Sequence, residues 1–198
     1  MSKSYAKFYK CALQVNPYSY IKYRGLEHEM TEEQYNESIY QYCKTNNISI
    51  IGLADHGNVD NSSKLRQYLV SKGILVFPGF EISTSEKVHI VCLFSENTEE
   101  RELERYLGEL GLSNLEEGNS PSTLSFHEIT QKVLDRGGFW YAAHVTSDNG
   151  ILKGKHNNLW QSDKLIAAQI PSKKNEEDPK YTCLLYTSLS GLARQTDL

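Results

Sequence analysis

The residues of this sequence best equipped for chemistry are Asp55, His56, Glu81, His89 and His144, and each stands at or beside the end of an apolar run. Asp55-His56-Gly57 follows Ile48-Ser-Ile-Ile-Gly-Leu-Ala54, so the chain must turn there and both polar side chains emerge where a buried strand reaches a rim. Imidazole suits a borderline-soft divalent metal, and aspartate can either bind such an ion or orient the histidine. The same turn also serves as an ordinary loop cap. Glu81 follows Phe77-Pro-Gly-Phe80, where an unpaired carboxylate is costly and calls for a cation unless it faces solvent at the strand end. His89 lies between Val88 and Ile90, one hairpin from Glu81, and the two meet if register brings them together. A core histidine with satisfied hydrogen bonds is its alternative. His144 follows Ala142-Ala143, small neighbours that leave room for a metal, a phosphate or close packing. His28, His127 and His156 lie in polar surroundings and are expected at the surface.

Strands and helices must bring these residues together. Phe8 to Val15 reads as a first strand, closed by Asn16-Pro17 because proline has no N–H for a ladder and restricts the residue before it. A Tyr-rich loop follows. Thr31-Glu-Glu-Gln34 is a capping box that starts a helix running to about Thr45, with Tyr35, Ile39, Tyr42 and Cys43 as its buried face. Ile48 to Ala54 is the continuous apolar run of a strand covered on both faces; Asn61 caps a second helix to about Lys72, with Gly73 as its stop. Strands over 74–82 and 88–94 are joined by Ser83-Thr-Ser-Glu86, too short for a crossover helix and suited to an antiparallel hairpin. A helix over 98–110, a polar linker over 112–123 and a helix opened by Ser125-Phe-His-Glu128 and ended by Gly137-Gly138 come next. Phe139 to Val145 reads as a strand and Leu165 to Ile170 as a short one. The alternation predicts a mostly parallel α/β sheet or barrel.

With 198 residues and 39% hydrophobic content the chain suits one domain with a real core, assigned to residues 1–172, followed by a tail over 173–198. Within that tail, Cys183-Leu-Leu-Tyr-Thr-Ser188 reads as the translation of a transposon-end adapter used in sequencing libraries. Residues 183–198 are therefore expected to be an assembly scar, with the native sequence continuing differently. A net charge of −4 excludes a generally basic nucleic-acid binder while leaving room for a local phosphate site. No run approaches the roughly 18 apolar residues of a membrane helix, so no membrane partner is expected. Cys11, Cys43, Cys92 and Cys183 are scattered without a C-x-x-C pair, which favours reduced thiols and a cytoplasmic setting.

The ordered series is more specific than its parts. Strand-Asp-His-Gly, then Pro-Gly-x-Glu-Ile, then x-His-Ile-x-x-Leu, then Gly-Gly-x-x-x-Ala-Ala-His resembles the PHP (polymerase and histidinol phosphatase) family of metal-dependent phosphoesterases over about Phe8 to Val145. The resemblance implies an incomplete, distorted (βα)7 barrel, with divalent ions at its strand ends and hydroxide attacking a phosphoester. It implies Glu81 as bridging carboxylate, His89 and His144 as further ligands, and His56 with Asp55 as the place of another ion and the catalytic pair. It also implies one or two ions of Mn, Zn or Fe. Where the family's first strand ends Asp-Leu-His-x-His, this chain has Ala12-Leu13-Gln14-Val15-Asn16. Gln14 and Asn16 are thus degenerate first-site positions, because neutral amides hold zinc or manganese poorly. The family's late ligands have no counterpart, and His156 lacks their context.

Two functions fit these residues. One is a phosphoesterase with a reduced metal complement, acting on a phosphomonoester or a nucleic-acid phosphodiester. The other is an inactive PHP-like module that binds nucleic acid or a partner. The opening is similar to PHP domains that begin long chains ending in an SMC- or AAA-like ATPase, the TrlF-like group. That implies an ATPase region in the same full-length chain, although no Gly-x-x-x-x-Gly-Lys-Ser/Thr loop occurs here.

Overall fold

Period-two alternation and short turns build a single sheet in the computed structural model, which describes residues 8–23, 30–59, 62–112, 120–162, 165 and 167–170. Its strands are β1 (Lys10–Val15), β2 (Ile48–His56), β3 (Leu75–Ser83), β4 (His89–Leu93) and β5 (Phe139–Ala142), in that spatial order. β1, β2 and β3 pair in parallel, whereas β4 is antiparallel to both β3 and β5. The short link Ser83 to Glu86 forces that reversal, as its length predicts. Helices α1 (Tyr18–Tyr23), α2 (Glu32–Asn46), α3 (Ser62–Ser71), α4 (Glu100–Glu109), α5 (Phe126–Asp135) and α6 (Asn157–Trp160) complete the described elements.

Alternation sorts the strand side chains into two faces. Ile51, Leu53 and Val76 pack outward with Cys43 of α2 and Leu65 and Leu69 of α3. Phe80, Ile82, Ile90, Cys92 and Trp140 pack outward with Leu103, Leu107, Phe126, Ile129, Val133 and Trp160 from α4, α5 and α6. The inner face holds Ala54, Val91, Leu93, Tyr141 and Ala143, with Leu13, Phe77 and Phe139 beside them. The sheet curls so far that its two edge strands meet across this inner face: the Tyr141 hydroxyl donates to the Leu13 carbonyl at 3.1 Å. The result is a half-barrel with helices outside and a small apolar plug inside. Five strands pair among the described residues, short of the seven that the family resemblance implies for a complete barrel, and Leu165 to Ile170 contributes only a parallel bridge from Ala168 to Ala142.

Other differences have local causes. The Tyr-rich stretch holds α1, because Pro17 has a helix-compatible φ and its carbonyl accepts the Tyr20 N–H at 3.1 Å. Tyr42 is exposed and lines a cleft with Tyr20 and Tyr35, while the buried positions of α2 are Asn36 and Cys43. The Thr31–Gln34 and Ser125–Glu128 capping boxes form as expected. Asn61, His28, residues 113–119 of the linker and everything from 171 onward, Cys183 included, lie outside the described residues.

Candidate metal centre

The parallel strands deliver their carboxyl ends to one rim, where α/β proteins gather functional groups. His56 at the end of β2 pairs directly with Glu81 of β3, and the Gly57 N–H closes the turn onto the Glu81 carbonyl at 2.7 Å. Because β4 runs the other way, its first residue, His89, reaches the same rim opposite Ser83, two residues from Glu81 on the same face. β5 ends at Ala142; the Ala143 N–H bonds the His89 carbonyl at 3.0 Å, which sets His144 beside His89.

Three imidazoles therefore converge on one oxygen. His89 Nδ1 lies 2.6 Å, His56 Nε2 3.1 Å and His144 Nε2 3.4 Å from Glu81 Oε1. The other oxygen, Oε2, accepts the side-chain amide of Gln14. Glu81 is 1% exposed. One ligand atom each from His56, Glu81 and His89 falls within a 4.8 Å span, close enough to hold one ion. The residues fit a divalent metal through the chemistry of the donor set, imidazole nitrogen plus a buried carboxylate oxygen within reach of one ion.

Burial by itself pushes the Glu81 carboxyl up. Hydrogen bonds from His144, His56 and His89 outweigh it and hold the group far below its ordinary value of 4.5. His144 is raised above 6.5, chiefly by its hydrogen bond to Glu81 and against the opposing effect of burial. In the metal-free cluster the ionised Glu81 and the proton on His144 thus favour each other.

Asp55 and His56 are consecutive on a strand, and period-two geometry turns them to opposite faces. Asp55 is buried; its carboxylate accepts the His56 backbone N–H at 2.7 Å, and its charge reaches Tyr35 of α2 on the outer side. Asn16 lines a cleft with Gln14 and Tyr20; its carbonyl accepts the Tyr35 hydroxyl at 2.8 Å, and its Oδ1 is buried without a partner. Tyr20 stacks on His56, with ring centroids 5.4 Å apart and planes 14° from parallel. No pattern in the sequence singles Tyr20 out, since it is one of several tyrosines in a stretch without periodicity. His127 is exposed as expected, whereas His156, expected at the surface, is half-buried; neither belongs to the compact ligand group.

His144 sits in a turn at φ +26°, a left-handed conformation that costs a side-chain-bearing residue about 1–2 kcal/mol. The Ser147 N–H to His144 carbonyl bond, 2.8 Å, and the His144 N–H to Gln169 Oε1 bond, 2.9 Å, hold it there. His144→Gly is expected to melt in urea as if more stable than His144→Ala by about 1 kcal/mol, because both lose the imidazole while only alanine keeps the strain. Equal midpoints for the two variants would refute strain at this position.

No protein-family model matches the chain, and no curated protein matches it in sequence. Solved structures are similar to it in fold. A lesion-specific endonuclease from Pyrococcus furiosus superposes with a TM-score of 0.51 at 14% identity, over 73% of this chain and 37% of that protein. A protein from Bifidobacterium adolescentis named as a candidate metal-dependent phosphoesterase superposes with a TM-score of 0.50 at 11% identity, over 90% of this chain and 82% of its own. The chain spans little more than a third of the endonuclease's length, and no helix among its described residues is long and apolar enough to cross a membrane. What it shares with both proteins is a mixed α/β fold with a curled sheet, and it carries at the rim of that sheet a His/Glu cluster able to bind a metal.

Proposed function

We propose that this chain is a PHP-type metal-dependent phosphoesterase whose centre is held by His56, Glu81, His89 and His144. The observation that carries the reading is the convergence of three imidazole nitrogens on one oxygen of a carboxylate that is itself buried. Such a carboxylate needs a cation, and the histidines supply ligands around it. Mn, Zn or Fe would serve with these donors. The names of the two structural neighbours, an endonuclease and a candidate phosphoesterase, support phosphoester hydrolysis, and the endonuclease supports a nucleic-acid phosphodiester as substrate class. The likeness of the opening sequence to chains with an SMC- or AAA-like ATPase extends the proposal to such a region in the same protein, working in the cytoplasm.

A bound divalent ion would activate water and neutralise charge developing on the phosphoryl group. The protein's own contribution is placement. Glu81 supplies the negative charge that holds the cation, and burial strengthens that attraction. Asp55 accepts the His56 N–H and fixes the turn that aims the imidazole, while Tyr20 covers one face of the same ring. His144, with a side chain 24% exposed, is the most open of the three histidines and marks the side from which a phosphoester would approach.

Metal-stripped protein, reloaded separately with Mn2+, Zn2+ or Fe2+, should hydrolyse bis(p-nitrophenyl) phosphate or a DNA oligonucleotide, and lose at least about 100-fold of that rate in His89→Ala, a larger loss than outer-shell changes give. Absence of turnover with every metal, or turnover indifferent to chelator, would sink the enzymatic reading. Tight metal binding without turnover would leave the inactive binding module in its place.

A further inference from the structure

We infer that the centre holds a single divalent ion, because the ligand atoms gather around one oxygen of Glu81 while Gln14 turns an amide N–H, which cannot ligate, to the other. The inference rests on the metal-site reading above and concerns only its stoichiometry. A second ion would need further ligand atoms beside Glu81. Here Oε1 faces the three imidazoles and Oε2 faces the amide of Gln14.

The placement of Gln14 is built into the backbone. Between Ala12, opposite Ile51, and Val15, opposite Leu53, β1 advances three residues while β2 advances two, so β1 carries a bulge. Ala12 and Val15 pack outward, whereas Leu13 joins the inner cluster and Gln14 reaches Glu81 on the same inner side. The bulge is clamped from across the sheet by the Tyr141 hydroxyl on the Leu13 carbonyl. Tyr141 stays a donor at any ordinary pH, since burial and then the charge of Glu81 raise its phenol well above the usual value.

Chemistry completes the argument. The Gln14 atom turned to Glu81 is the amide nitrogen, a donor with no lone pair to give a metal. Asp55, the carboxylate next to His56 in β2, is engaged with the His56 backbone and sends its charge toward Tyr35. Among the described residues the one group of ligand atoms compact enough for an ion is His56, Glu81 and His89. Gln14 is thus a positioning residue that holds Glu81 through Oε2 and would leave Oε1 to the ion.

The test is a metal count on the full chain, by equilibrium dialysis against Mn2+ with elemental analysis, paired with electron paramagnetic resonance of the bound Mn2+. Wild type is expected to retain one ion per chain with the six-line spectrum of an isolated Mn2+. Gln14→His, which removes the amide donor and supplies a nitrogen ligand, is expected to retain two and to show a spin-coupled spectrum. Gln14→Glu, which supplies an oxygen ligand of nearly the same shape, serves if the histidine variant does not keep the wild-type circular dichroism. Two ions in wild type overturn the inference while leaving the phosphoesterase reading intact, as does one ion in both folded variants. No ion in wild type overturns both.

Discussion

Mn2+ or Zn2+ at about a hundred times its dissociation constant is expected to stabilise the chain by about 2.7 kcal/mol, a rise of roughly 5–10 °C in melting temperature, and Glu81→Gln is expected to abolish that rise. Glutamine keeps the volume of the side chain and removes its charge, so the comparison isolates electrostatics from packing. The wild-type carboxylate is almost wholly buried, and its affinity for cations is correspondingly strong. In the metal-free chain three imidazoles and one amide compensate it. A divalent ion would set a full opposite charge against the carboxylate, and His56, Glu81 and His89 would hold it together. The neutral amide of Glu81→Gln offers a weak ligand and no compensation for the cation. A melting temperature that rises equally in wild type and Glu81→Gln would show that the ion binds elsewhere.

The same cluster gives a direction to pH. Glu81 titrates below its ordinary 4.5, so its ionised, hydrogen-bonded form contributes stability that is complete above about pH 4.5 and lost as pH falls through the lowered folded value. His144 titrates above its ordinary 6.5, so its contribution is complete below about pH 6.5 and lost as pH rises through the raised folded value. Without metal, the cluster therefore stabilises the fold most between those two ordinary values. Metal binding is expected to run the opposite way on the alkaline side, because an ion would compete with the proton on His144 and gain affinity as it leaves.

Much of this arrangement is legible in the sequence, and the exceptions have physical reasons. His56, Glu81 and His89 stand out because apolar runs break abruptly into ionisable residues. The link Ser83-Thr-Ser-Glu86 is too short for anything but a reversal, and the hairpin it makes brings β4 back with His89 at the rim. Gln14 is harder to place from sequence: only the bulge in β1 turns it inward, and a bulge depends on how the neighbouring strand and Tyr141 meet that segment. The end of β5 is also hidden. Ala142-Ala143-His144 continues an apolar pattern, yet the backbone leaves the sheet after Ala142 and enters a left-handed turn at His144, held there by tertiary hydrogen bonds that no local pattern announces. α1 is hidden for a different reason: Asn16-Pro17 suits a helix start as well as a strand stop, and Tyr18 to Tyr23 has no apolar stripe to decide between them.

Gly79→Ala is expected to destabilise the fold by more than about 3 kcal/mol, beyond the usual range for an added methylene, and to remove metal binding with it. A Cβ at Gly79 would fall on the Cys92 carbonyl oxygen and crowd the Leu93 side chain. The first of these is backbone in a ladder and cannot rotate away. Relief requires β3 and β4 to separate where Gly79 pairs with Leu93, and that ladder continues through Glu81 opposite Val91 to Ser83 opposite His89. Parting the strands therefore moves Glu81 away from His89, whose 2.6 Å contact is the shortest imidazole approach in the centre. Gly108→Ala is the control, because a Cβ there meets nothing within 4 Å and the residue lies inside α4. Alanine at that position should stabilise by about 0.5–1 kcal/mol through helix propensity. Urea midpoints and retained Mn2+ measured on both variants test the coupling: a Gly79→Ala protein that melts within about 1 kcal/mol of wild type and keeps its ion would show that the β3–β4 contact does not set the geometry of the centre.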